Sequence, residues 1–99
     1  MTRDEFLALM QAEHQTEYNL FAKKNSVYGY NGLENILENF ERGGVILDMP
    51  PEKYLMSLVT KHFLALSKAD ATPELYAEYA RDIRLYMLLL LAIVKDRKA

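Results

Sequence analysis

The run Leu85-Tyr86-Met87-Leu88-Leu89-Leu90-Leu91-Ala92-Ile93-Val94 constrains this chain more than any other feature. It falls far short of the roughly 18–20 apolar residues that a helix needs to cross a bilayer. It therefore predicts a buried helix and no membrane span. From Met87 onward every side of that helix is apolar, and such a helix must be covered on every side. Three neighbouring helices in a 99-residue chain hardly suffice. The last helix is therefore expected to form a subunit interface in a symmetric dimer or a higher helical bundle.

The rest of the chain reads as helices too. Thr2 and Glu5 have capping-box spacing, and a first helix is predicted from there to about Lys24. Phe6, Met10, His14, Tyr18 and Phe21 recur every three or four residues on one face. Tyr28-Gly29-Tyr30-Asn31-Gly32 holds residues that tolerate positive φ, so Asn25 to Asn31 is expected to break the helix. A short second helix is predicted over about Leu33 to Glu41, ended by Gly43-Gly44. Val45 to Pro51 then reads as a linker stiffened by Pro50-Pro51. Pro51 opens a third helix running to about Lys68, with Leu55, Leu58, Val59, His62, Phe63 and Leu66 on its apolar side. Thr72-Pro73-Glu74 reads as N-cap, first-turn proline and first-turn acid of a last helix, about Pro73 to Lys95. The expectation is an all-α, four-helix, bundle-like fold, with residues 1–99 as one helical domain.

Composition sets the class. Hydrophobic residues make up 51% and charged residues 26%, a globular balance. The formal net charge of -2 gives no support to a general nucleic-acid-binding surface. There is no cysteine, which excludes disulfides, thiol catalysis and iron–sulfur clusters and suits a reducing compartment. Met1 to Glu5 lack the apolar core of a signal peptide. A cytoplasmic location is expected.

Three constellations bear on chemistry. Glu34, Glu38 and Glu41 share one side of a helix, and Glu78 and Asp82 stand four apart on another. They read either as a solvated charge stripe or as an oxygen-rich set for Mg²⁺ beside a phosphate, with Asp82, Glu78 and Glu38 as its members. His14 and Lys61-His62 lie on or beside apolar stripes. Each histidine is either a hydrogen-bonded residue at the core edge or part of a site in which Lys61 meets phosphate and His62 meets Asp82 or a base. No His-x-x-x-His spacing favours zinc. Lys23, Lys24, Asn25, Tyr28, Tyr30 and Asn31 gather cations, amides and rings in one turn. That turn is either a helix–helix loop or one wall of a nucleotide pocket. Neither a phosphate-binding Gly-rich loop nor a nucleophile elbow is present.

Phe6 and His14, Lys24-Asn25-x-x-Tyr28-Gly29, Asn39-Phe40, Lys61-His62 and Asp82-x-x-x-Tyr86 follow in an order that spans nearly the whole chain. The order resembles small helical proteins of bacteriophages and prophages related to nucleotide modification associated domain 1. Those proteins are in turn distantly similar to the all-α nucleoside triphosphate pyrophosphohydrolases of the MazG and dimeric dUTPase type. The resemblance implies an oligomer that binds a nucleotide or nucleotide-like molecule, and it carries over Lys24, Asn25, Tyr28, Lys61 and Asp82; His62, beside Lys61, completes the expected nucleotide-binding set. In its enzymatic form it implies a Mg²⁺-dependent pyrophosphohydrolase. The acidic spacings differ from the Glu-Glu-x-x-Glu and Glu-x-x-Asp elements of those enzymes: Glu34 and Glu38 have no adjacent acid in that pattern, and Glu78 to Asp82 is one residue longer. Nucleotide binding, with or without hydrolysis, is the leading expectation. A helical module that binds a host or phage protein is the other.

Overall fold

The computed structural model describes residues 1–27 and 36–98. Four helices occur among them: α1 (Arg3–Val27), α2 (Glu38–Leu47), α3 (Pro51–Leu66) and α4 (Pro73–Lys98). No strand occurs among the described residues. The expected all-helical class is thus observed. Contacts divide the chain into two compact units, Met1–Glu34 and Asn35–Ala99. No helix among the described residues is long and apolar enough to cross a membrane.

The first unit is built on α1. Its start follows the predicted cap: the Glu5 N–H donates to Thr2 Oγ1 at 3.1 Å, and the Phe6 N–H to the Thr2 carbonyl at 3.0 Å. Asp4 and Glu5 place negative charge at the positive end of the helix dipole. The helix does not stop at Lys24 as expected. It runs through Asn25 to Val27, because Asn and Ser disfavour helix by only about 0.5 kcal/mol each and do not break one. Lys24 and Asn25 therefore belong to a helix and not to a turn. Tyr28 and Glu34 lie outside the described residues. Phe6, Leu7, Leu9, Met10, Tyr18 and Leu20 are all exposed.

The second unit holds the core. α3 packs against both α2 and α4. Leu55 and Val59, one turn apart on α3, are fully buried and are joined by Leu37, Phe40 and Ile93. Truncating either α3 residue to Ala is expected to cost roughly 2–4 kcal/mol through lost burial and the cavity left behind. Pro51 opens α3 as predicted. Thr72 caps α4, its Oγ1 accepting from the Leu75 N–H at 3.2 Å. The turn between them is tied down by the Tyr76 hydroxyl, which donates to the Leu66 carbonyl at 3.0 Å. At the other end of the pair, Arg97 bonds Glu52.

α2 departs most from expectation. It spans Glu38–Leu47 instead of Leu33 to Glu41, and Gly43-Gly44 lie inside it. The reason is packing. A Cβ on Gly43 would overlap the Tyr54 ring, so this glycine lets α2 approach α3. A Cβ on Gly44 would come within 2.5 Å of the Met49 carbonyl oxygen. The true stop is Asp48, in the left-handed region at φ 55°. There the Met49 N–H donates to the Gly44 carbonyl at 2.8 Å and the Asp48 N–H to the Val45 carbonyl at 3.3 Å. This is a Schellman closure with aspartate where glycine is usual. The predicted linker shrinks accordingly, and Val45, Ile46 and Leu47 become the exposed last turn of α2.

Candidate functional site

Antiparallel packing of α3 on α4 brings His62 from one helix beside Tyr79, Asp82 and Tyr86 of the other. His62 Nε2 lies 3.3 Å from Asp82 Oδ2, and Nδ1 lies 3.4 Å from the Leu58 carbonyl oxygen. Both neighbours are acceptors. Which ring nitrogen carries a proton decides which of the two receives a hydrogen bond. Tyr79 and Tyr86 meet it edge to face, with centroids 4.7 and 5.7 Å away and interplanar angles of 68°. Such contacts add about 0.5–1.5 kcal/mol to area burial. His62 is mostly buried at this seam, while Asp82 keeps nearly half its side chain in solvent. Burial, followed by the nearby Asp82 charge, raises the Tyr86 phenol above its ordinary pKa.

Of the sequence-predicted residues, His62 and Asp82 are brought together, in the pairing the sequence suggested. Lys61, the next residue along α3, is exposed. Glu78, one turn before Asp82, is exposed as well. Glu38 forms an ion pair with Arg42 on its own helix at 2.7 Å. Asp82 is engaged by His62 and Glu38 by Arg42. Among the described residues no group of three or more histidine, aspartate or glutamate side chains is placed to hold a metal ion. The side chains of Lys24 and Asn25, and all of Tyr28, lie outside what is described. His14 is exposed on α1.

A feature that sequence reasoning missed lies at the opposite end of α3. A shallow pocket of about 200 Å³ has Leu37, Pro51 and Ile93 as its apolar lining and Glu41, Asp96 and Arg97 as its polar lining. Pro51 precedes His62 by three helical turns, roughly 16 Å, so this pocket is not the His62 site. Arg97 is anchored there by Glu52. That hydrogen bond holds the Glu52 carboxyl below its usual range and keeps the guanidinium firmly charged. The signal in the sequence was slight: an acid in the first turn of one helix and a base in the last turn of its antiparallel neighbour.

Several large apolar side chains of the second unit are exposed. Val45 and Ile46 are each 80% exposed, Leu88 51% and Leu91 57%. The last helix, expected to be covered all round, is covered by α3 on one side and leaves Leu88, Leu91 and Val94 open. Comparison with protein-family models, with curated proteins and with solved structures finds no match to this chain.

Proposed function

We propose that this protein is a helical interaction module whose apolar outer surface is closed by another polypeptide chain. The observation that carries the reading is the exposure of large apolar side chains on helices whose other faces are already packed: Val45 and Ile46 on α2, Leu88 and Leu91 on α4. Large apolar side chains left open on the last turn of α2 and on the outer side of α4 support surfaces that a partner chain would cover. They also support the homo-oligomer expected from the last helix. Sedimentation velocity at rising concentration is expected to show association. Ile46→Lys or Leu91→Lys should weaken it with helical content unchanged. A wild-type chain that stays monomeric and binds no apolar dye would refute the reading.

A second reading is favoured by one specific observation. His62, Asp82 and two tyrosine rings meet, and the residue before His62 is the exposed Lys61. A phosphate-bearing ligand asks for a cation, a hydrogen-bonding histidine and rings to stack on. With the motif resemblance, this supports a phage-type binder of a nucleotide or nucleotide-like molecule, catalytic or not. A thermal-shift series with nucleoside mono-, di- and triphosphates, with and without Mg²⁺, tests it. A ligand specific to the folded chain raises the melting temperature. The shift should vanish in Lys61→Ala, and no shift with any nucleotide refutes this reading alone.

A further inference from the structure

We propose that the partner of α4 is α4 of a second copy, paired antiparallel about a two-fold axis between Leu85 and Leu88. The proposal rests on the interaction-module reading and names its partner. Glu78, Arg81, Leu85, Leu88, Ala92 and Lys95 follow one another at intervals of three, four, three, four and three. That is the a/d spacing of a helix–helix seam. Ile83, Tyr86, Leu90 and Ile93 of the same helix join the core; of the stripe only Ala92 also packs against it, and Leu85 and Leu88 do not. Leu88 is half exposed, Leu85 and Ala92 are partly exposed, and Glu78, Arg81 and Lys95 are exposed.

The order of residues along the seam selects both the partner and its direction. Turned over and laid on itself, the stripe sets Leu85 against Leu88 of the second copy. One layer out, Arg81 meets the small Ala92, which leaves room for its aliphatic stem. One layer further, Glu78 meets Lys95. Symmetry repeats each layer, so one two-fold contact makes a four-leucine centre closed at both ends by opposite charges. A parallel pairing would instead place Glu78 on Glu78, Arg81 on Arg81 and Lys95 on Lys95. Those like charges exclude it. Neither Glu78 nor Lys95 has an ion-pair partner within the chain among the described residues. In this arrangement Glu78 is an interface residue and not a metal ligand.

Charge reversal tests the register. Glu78→Lys and Lys95→Glu each turn two attractive end layers into repulsive ones. Each is expected to raise the dimer dissociation constant roughly tenfold, since an exposed pair is worth a fraction of a kcal/mol either way. The double variant Glu78→Lys/Lys95→Glu restores the complementarity and should return to within about threefold of wild type. Circular dichroism checks that these surface variants keep their helices. A second measurement exploits the cysteine-free chain: Leu85→Cys mixed with Leu88→Cys should form a disulfide-linked heterodimer in preference to either homodimer. Association that survives both single reversals, or that the double variant does not rescue, overturns this pairing and leaves the interaction-module reading standing. A wild-type monomer that binds an apolar dye also overturns it, and points to a different protein as the partner.

Discussion

Replacing Gly44 by alanine should destabilise the protein even though alanine is the better helix former. The structure gives the reason and the size. The new methyl would sit 2.5 Å from the Met49 carbonyl oxygen and 3.3 Å from the Pro50 carbonyl carbon and the Pro51 nitrogen. Ordinary contact begins at 3.4 Å, so the nearest backbone must retreat by most of an ångström. It has little freedom to do so. The Met49 N–H is bonded to the Gly44 carbonyl at 2.8 Å, Asp48 is fixed at φ 55°, and two prolines follow with their φ angles locked. Overpacking against an unyielding neighbour costs about 1–3 kcal/mol. Better helix propensity offsets at most about 1 kcal/mol of that, less so near a helix end. The net loss is roughly 1–2 kcal/mol, a fall of about 5–15 °C in Tm for a domain of this size. Thermal unfolding followed by circular dichroism reads it directly. Gly43→Ala is the control. Its obstacle is the far end of the Tyr54 side chain, which can swing outward, so its loss should be smaller. A Gly44→Ala protein that melts at or above the wild-type temperature would show that the Gly44–Met49 approach is not what the glycine is for.

Two further outcomes follow from local chemistry. Asp48 holds a left-handed conformation that costs a non-glycine residue energy, so Asp48→Gly should stabilise the α2 terminus by about 0.5–1 kcal/mol; a lower Tm would mean that the carboxylate has a role of its own. Tyr86 is raised above its ordinary value of 10.0 by burial and then by Asp82, so its stabilising effect is fully present below about pH 10 and is lost as pH rises through the folded-state value, because the unfolded chain releases this proton first. Tyr86→Phe should therefore flatten the alkaline fall in stability in denaturant titrations, and an unchanged alkaline slope would contradict the assignment.

The parts of the fold that local chemistry decides were legible in the sequence. Thr2, Pro51 and Thr72-Pro73 begin helices where their hydroxyls and rings satisfy or dispense with terminal N–H groups, and neighbours within four residues suffice for that. Gly43-Gly44 misled because a glycine serves two unrelated ends. It can accept a left-handed turn, or it can let another chain segment come close. Only the position of Tyr54 and Met49 tells which, and those contacts are set by how α2 lies on α3. The same limit applies to the end of α1, where Asn25 and Ser26 are poor helix formers but not breakers.

The candidate site divides along the same line. Periodicity placed His62 and Asp82 each at a core edge, and two edges of adjoining helices have few other polar groups to choose from, so their pairing could be anticipated. The acids could not be resolved in this way. Spacing predicts that Glu34, Glu38 and Glu41, or Glu78 and Asp82, share a side of a helix, but a carboxylate's role depends on the cation or hydrogen-bonding group that reaches it first. Arg42 reaches Glu38, His62 reaches Asp82, and Arg97 reaches Glu52 across the α3–α4 pair. Among the described residues Glu78 has no cation beside it, and Lys95, equally without an ion-pair partner there, stands at the mirrored position of the proposed seam. An acid and a base set symmetrically about a leucine pair have little to do for a monomer, and in the proposed pairing a second copy would give both of them a partner.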